Sequence, residues 1–157
     1  MLSTFSFLAT LLAAQGAFAG TYNILDTFVG PSFLTGFDHQ AIGDPTNGRV
    51  NYVNQATAVA QNLTYTSSDT LILRTDYKTV LSASGPGRNS VRIQSKKAYG
   101  NGVSVINVRH MPQGCATWPA FWSTATTNWP SLGEIDIIEG VNDQSPNHST
   151  LHTTSGC

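Results

Sequence analysis

The stretch that most restricts this chain is Gly133-Glu134-Ile135-Asp136-Ile137-Ile138-Glu139-Gly140, which sets three carboxylates within six positions. β-Branched residues dominate it and a glycine closes it, so it reads as a buried strand rather than a helix. Side chains on a strand alternate faces, which puts Glu134 and Asp136 on one side. Glu139 is out of phase: it lies five positions beyond Glu134, an odd step that sends it to the other face of a regular strand. A β-bulge at Ile137-Ile138 restores the phase, and bulges recur beside active sites.

With the bulge, the step from Glu134 to Glu139 counts as about four residues, or about 13 Å of backbone at ~3.3 Å per residue. Two glutamate side chains leaning together reduce this to a carboxyl gap of about 5–6 Å. At that gap one carboxylate can attack an anomeric carbon with retention while the other protonates the leaving oxygen. Asp136, between them, is placed to orient the nucleophile and raise the pKa of the acid. A merely solvated acidic strand fits poorly with the flanking isoleucines and the neighbouring tryptophans.

At 157 residues with 40% hydrophobic content the chain is one globular domain by length. Eight basic against nine acidic residues, net charge -1 and no basic run leave no electrostatic footprint for nucleic acid or an anionic membrane. Residues 1–19 read as a signal peptide. The apolar run Phe5–Ala14 is too short to span a bilayer, and Ala17-Phe18-Ala19 is a small-x-small cleavage site, although no Lys or Arg precedes the run. The mature domain is then 20–157, secreted and extracellular, with no membrane segment after cleavage. Secretion makes sense of two N-glycan sequons, at Asn62 and Asn147, and permits a disulfide between Cys115 and Cys157.

Taken in order, Tyr22–Phe37 is aromatic-rich and is expected to hold a first short strand. Asp44-Pro45-Thr46-Asn47-Gly48 is a turn, followed by alternating Arg49–Val53. Thr70–Arg74, Ser90–Ser95, Gly102–Val108 and Ser149–Thr153 read as further strands, Gly102–Val108 as one buried on both faces. No ten-residue window carries a capped helical period, so many short strands at this spacing indicate an all-β sandwich. Trp118, Trp122 and Trp129 all lie within sixteen positions of Glu134. Indole faces stack on the C–H faces of sugar rings, and Trp122 and Trp129 are the expected platforms, with Trp118 assigned to the core. His148 and His152 have the spacing of a helical metal pair, but the segment reads as strand and lacks a zinc-protease glutamate, so no metal is expected. His152 is instead placed to hydrogen-bond a carboxylate or the sugar. Neither a Gly-x-Ser-x-Gly elbow nor a phosphate-cradling loop occurs, so no cofactor is expected.

These motifs together resemble glycoside hydrolase family 16, in particular its fungal secreted endo-β-1,3(4)-glucanases, the laminarinases. The resemblance is carried by Arg109-His110-Met111-Pro112-Gln113-Gly114, Trp118-Pro119-Ala120-Phe121-Trp122, Trp129-Pro130 and Gly133–Glu139, with Ser90-Val91-Arg92-Ile93 upstream. It implies a concanavalin-like jelly-roll β-sandwich and a retaining mechanism with Glu134 as nucleophile, Asp136 as its electrostatic partner and Glu139 as acid/base. It also implies that Trp122, Trp129, Arg92, Asn89 and His152 line the glycone side of a cleft for β-1,3 and mixed β-1,3/1,4 glucans. The resemblance spans Thr21 to Cys157 but only the first half of the family's domain, so apolar faces and sheet edges are expected to be left bare. A truncated inactive fragment and a non-catalytic glucan-binding protein on the same fold are the rival readings, and transglycosylation is a variant of the enzymatic one.

Overall fold

The computed structural model describes residues 20–156. The expected leader at residues 1–19 and the Cys157 end of the expected disulfide therefore lie outside the described residues; Cys115 is exposed. Nine short strands and two short helices follow in the order α1 (Ser32–Gly36), β1 (Phe37–His39), β2 (Val50–Tyr52), α2 (Gln55–Ala60), β3 (Thr64–Thr66), β4 (Leu71–Leu73), β5 (Arg88–Ser90), β6 (Ile93–Ser95), β7 (Ala120–Thr124), β8 (Glu134–Glu139) and β9 (His148–His152). Among the described residues no helix is long and apolar enough to cross a membrane.

Four small sheets result. β1 pairs with β6 and β3 with β4, both antiparallel; β2 pairs with β5 in parallel; β7, β8 and β9 form an antiparallel three-stranded sheet with β8 in the middle. The Asp44–Gly48 turn is fixed by one carboxylate, since Asp44 accepts from the Thr46 hydroxyl and the Gly48 N–H, both at 2.7 Å. Gly87 lies hard against the Arg49–Val50 backbone, where a Cβ would overlap main-chain atoms, so only glycine lets the chain enter β5 beside β2.

Several expected elements take a different form. The Tyr22–Phe37 segment holds no strand before Phe37; its rings form a cluster instead, with Phe28 edge-on to Phe37 at 5.0 Å. The alternation at Ser90–Ser95 hides a change of partner, because β5 and β6 pair with different strands and Val91-Arg92 make the crossing. α2 was invisible to a ten-residue window because it is six residues long; it is nucleated by Asn54, whose side chain accepts the Thr57 N–H at 2.9 Å. Gly102–Val108 forms no strand, and Val105 is 90% exposed. Its apolar pattern is that of a sandwich strand, but among the described residues no strand pairs with it to satisfy its N–H and C=O groups. The buried apolar core of the described residues is small, comprising Val53, Ala58 and Leu63 with Val91 packed against them.

Candidate active site

Strand pairing around β8 shows how the three carboxylates come to share a face. Against β7, Glu134 stands opposite Thr124, Asp136 opposite Trp122 and Glu139 opposite Ala120. The three β7 partners are spaced by two and therefore share one face, and so do the carboxylates across from them. The β9 partners, His152, Thr150 and His148, repeat the pattern, with the register shift between Asp136 and Glu139. Two residues of β8, Ile137 and Ile138, thus oppose the single Ser149. The bulge sits where the sequence required it.

The two faces differ from expectation in cover. Asp136 is 3% exposed, whereas Ile135 and Ile137 on the opposite face are 50% and 39% exposed. The isoleucine face is the more exposed one at Ile135 and Ile137, while Ile138 is half-buried and lines one hollow with Val108 and Met111.

Each acid has a partner that fixes its orientation. His152 Nε2 hydrogen-bonds Asp136 Oδ2 at 2.9 Å and lies 3.8 Å from Glu134 Oε1. The Trp129 indole N–H donates to Glu134, and the Trp118 indole N–H donates to Glu139 Oε1 at 3.0 Å. Trp118 is 58% exposed, which corrects its assignment to the core. Burial raises the Asp136 pKa, the charges of Glu134 and Glu139 raise it further, and the His152 contact opposes them. Both glutamates therefore act electrostatically on one buried aspartate. Glu134, Asp136 and His152 each place a ligand atom within 4.8 Å of the others, a spacing that a divalent cation also accepts. A hydrogen bond accounts for the His152–Asp136 part of that proximity.

Local geometry presents Trp129 and Glu134 together. Between β7 and β8 the chain turns tightly, with Gly133 N–H donating to Pro130 O at 3.0 Å and Thr124 Oγ1 donating to Gly133 O at 3.0 Å. Gly133 has φ +97°, a region that side chains with a Cβ disfavour, and it immediately precedes Glu134. Hollows of ≈ 480 Å³ and ≈ 220 Å³ both border Glu139, the larger between Met111, Pro119 and Asn147 and the smaller beside Trp118 and His148.

The remaining expected contact residues divide. Arg92 stacks over the half-buried Trp122, guanidinium to ring centroid 4.9 Å, and its Nε donates to Gln40 Oε1 at 2.7 Å. Asn89 is committed elsewhere, bonding Asn51 and donating to Gln61 Oε1 at 2.9 Å, with no hydrogen bond to the carboxylates. Asn62 is exposed and its Oδ1 accepts from Arg74 at 3.2 Å. The amide of Asn147, read from sequence as a glycan acceptor, is turned onto the bulge: its Oδ1 accepts from Glu139 N–H at 3.1 Å and its Nδ2 donates to Ile137 O at 3.2 Å. Sequence reading missed this role, along with those of Trp118 and Gln40. The signal for Asn147 was its place immediately before the strand that faces the bulge, where a backbone needs a side-chain partner.

An antiparallel sheet that presents two glutamates and an intervening aspartate on one face supplies the kind of carboxylate pair that glycoside hydrolases set on either side of a glycosidic bond. The model of the XgeA-like catalytic GH16 domain matches residues 37–157, and the chain belongs to glycoside hydrolase family 16. A probable endo-1,3(4)-β-glucanase of Aspergillus niger is 49% identical over 143 residues, 90% of this chain and 19% of that protein. The endo-1,3(4)-β-glucanase XgeA of Emericella nidulans is 46% identical over 141 residues, 88% of this chain and 22% of that protein. Laminarinase 16A from Phanerochaete chrysosporium, solved with 6-O-glucosyl-laminaritriose in its donor and acceptor sites, superposes with TM-score 0.81 at 67% identity, over 84% of this chain and 44% of that one. An elongating family 16 β-1,3-glucosyltransferase superposes with TM-score 0.80 at 43% identity, over 84% of this chain and 45% of that one. The small sheets are thus part of a jelly-roll β-sandwich, and the chain spans less than half of these solved structures.

Proposed function

We propose that this chain carries the catalytic acids of a secreted, retaining endo-β-glucanase acting on β-1,3 and mixed β-1,3/1,4 glucans. The observation that carries the reading is the bulge in β8, which turns Glu134, Asp136 and Glu139 to one face. Glu134 attacks the anomeric carbon and forms a glycosyl ester, while Glu139 passes its proton to the departing glycosidic oxygen. Glu139, now a carboxylate, then takes a proton from water, whose oxygen attacks the same carbon and releases Glu134. Asp136 and His152 hold Glu134 in line. Trp122 and Trp129 offer ring faces to the sugars, with Arg92 backing Trp122. Cleavage after Ala19, export to the extracellular space and an N-glycan on Asn62 complete the proposal.

Reducing-sugar release from laminarin by the purified chain, with Glu134→Gln as control, tests it. Release by the chain and none by the variant is expected; equal release by both defeats the enzymatic reading. Likeness to the elongating glucosyltransferase favours a second outcome, in which a glucan hydroxyl replaces water in the second step. Longer oligosaccharides among the products at high substrate concentration distinguish it.

A further inference from the structure

The bulge that aligns Glu139 leaves a backbone problem behind. Ile137 and Ile138 face the lone Ser149 across the β8–β9 ladder, so the peptide groups around them fall out of regular pairing. A main-chain N–H or C=O without a partner weakens the strand where it kinks, and a loose kink lets Glu139 swing. The β9 side supplies partners from side chains. Asn147 Oδ1 accepts from Glu139 N–H at 3.1 Å, Asn147 Nδ2 donates to Ile137 O at 3.2 Å, and Ser149 Oγ donates to that same carbonyl at 2.9 Å. One primary amide thus grips the bulge on both sides of Ile138. Its acceptor end holds the Glu139 N–H and its donor end the Ile137 carbonyl, which Ser149 also holds, so the acceptor alone governs the Glu139 amide.

We propose that Asn147 is the positioning residue of Glu139, with Ser149 as its second anchor. The pair locks the bulge in the phase that turns Glu139 towards the groove of Glu134. This rests on the reading of Glu139 as acid/base. The Asn-x-Ser pattern at 147–149, which matches a glycan sequon, has a different origin here: Asn147, immediately before β9, and Ser149, within it, both reach the same carbonyl. A glycan on Nδ2 would take one of its two hydrogens and crowd the bulge.

Amide hydrogen exchange on the full chain tests the clamp without requiring turnover. In the unaltered chain the Glu139 amide, bonded to Asn147 Oδ1, is expected to be protected. Asn147→Ala is expected to speed its exchange about tenfold, the scale of one hydrogen bond, while Ile135 is unchanged. Asn147→Asp keeps the acceptor and keeps Glu139 protected, which guards against a failure of the alanine variant to fold. Unchanged exchange at Glu139 in Asn147→Ala, or loss of protection in Asn147→Asp with Ile135 intact, overturns the proposal. A kinetic arm separates positioning from general destabilisation. On laminarin, Asn147→Ala is expected to lower kcat about 10²-fold, the scale of a ~1 Å misplacement, with KM little changed. On a 2,4-dinitrophenyl laminarioligoside, whose leaving group needs no proton, formation of the glycosyl ester proceeds as in the unaltered protein. Equal losses on both substrates overturn the positioning role. Glu139→Gln run alongside should show the same split. If that variant instead cleaves laminarin at the unaltered rate, the acid/base reading fails, while the exchange result still judges the clamp.

Discussion

Editing the bulge by one residue in each direction separates phase from composition. Between Asp136 and Glu139 β8 advances three positions while β7 advances two, from Trp122 to Ala120. Deleting Ile137 equalises the two strands, so Glu139 stays opposite Ala120 and on the carboxylate face, but the grip of Asn147 on the kink is lost. The expected cost is about 10²-fold in kcat on laminarin, the scale of a ~1 Å misplacement. With the bulge at Ile137-Ile138 retained, inserting one alanine between Ile138 and Glu139 raises the effective advance from Asp136 from two positions to three, an odd step. Glu139 then points to the isoleucine face, away from Glu134 and Asp136. Proton donation is lost, a further factor of about 10²–10⁴. The assay pairs laminarin cleavage with the indole N–H resonance of Trp118, which donates to Glu139 at 3.0 Å and reports the carboxylate's presence without turnover. That resonance should move strongly in the insertion variant and less in the deletion variant. An insertion variant with unaltered activity and an unmoved Trp118 signal would refute the reasoning.

Three further outcomes follow from the same geometry. Burial and the two glutamates raise the Asp136 pKa, so the folded chain takes up this proton more readily than the unfolded chain, and stability falls as pH rises through the raised value. Asp136→Asn should therefore be more stable than the unaltered chain at pH 7, with the gap closing below pH ~4, the ordinary aspartate range, by denaturant titration. Gly133→Ala at φ +97° should cost about 1–2 kcal/mol of folding stability by the same method, since the nearest atom to an added Cβ, His152 O at 3.7 Å, adds no clash. Arg92→Lys removes a planar cation 4.9 Å from the Trp122 centroid and should raise KM for laminarin about two- to fivefold with kcat unchanged, the scale of one exposed cation–π contact.

The site was more legible in the sequence than the fold around it. Glu134, Asp136 and Glu139 announce their face by parity alone, because alternation on a strand is fixed and the odd step admits few remedies. Trp118 was not legible: its distance from Glu139 along the chain says nothing of the antiparallel return that brings its N–H to that carboxylate. The contacts of Asn147 with the bulge were not legible, because nothing in a sequon's spacing tells which backbone groups the amide will meet. Gly102–Val108 failed for the opposite reason, since its composition is that of a sandwich strand but a strand exists only with a partner, and none pairs with it among the described residues. Composition states what a segment prefers, and pairing decides what it becomes.

The anomeric configuration of the first sugar released tests most directly whether Glu134 and Glu139 flank one glycosidic bond. Proton NMR of a laminarioligosaccharide digest, followed before mutarotation, distinguishes the two geometries. β-Anomer released first is the expected result, since carboxyl groups about 5–5.5 Å apart leave no room for water and force attack by Glu134. α-Anomer released first requires a gap of about 6.5–9.5 Å with water between the acids, and would contradict the shared-groove arrangement.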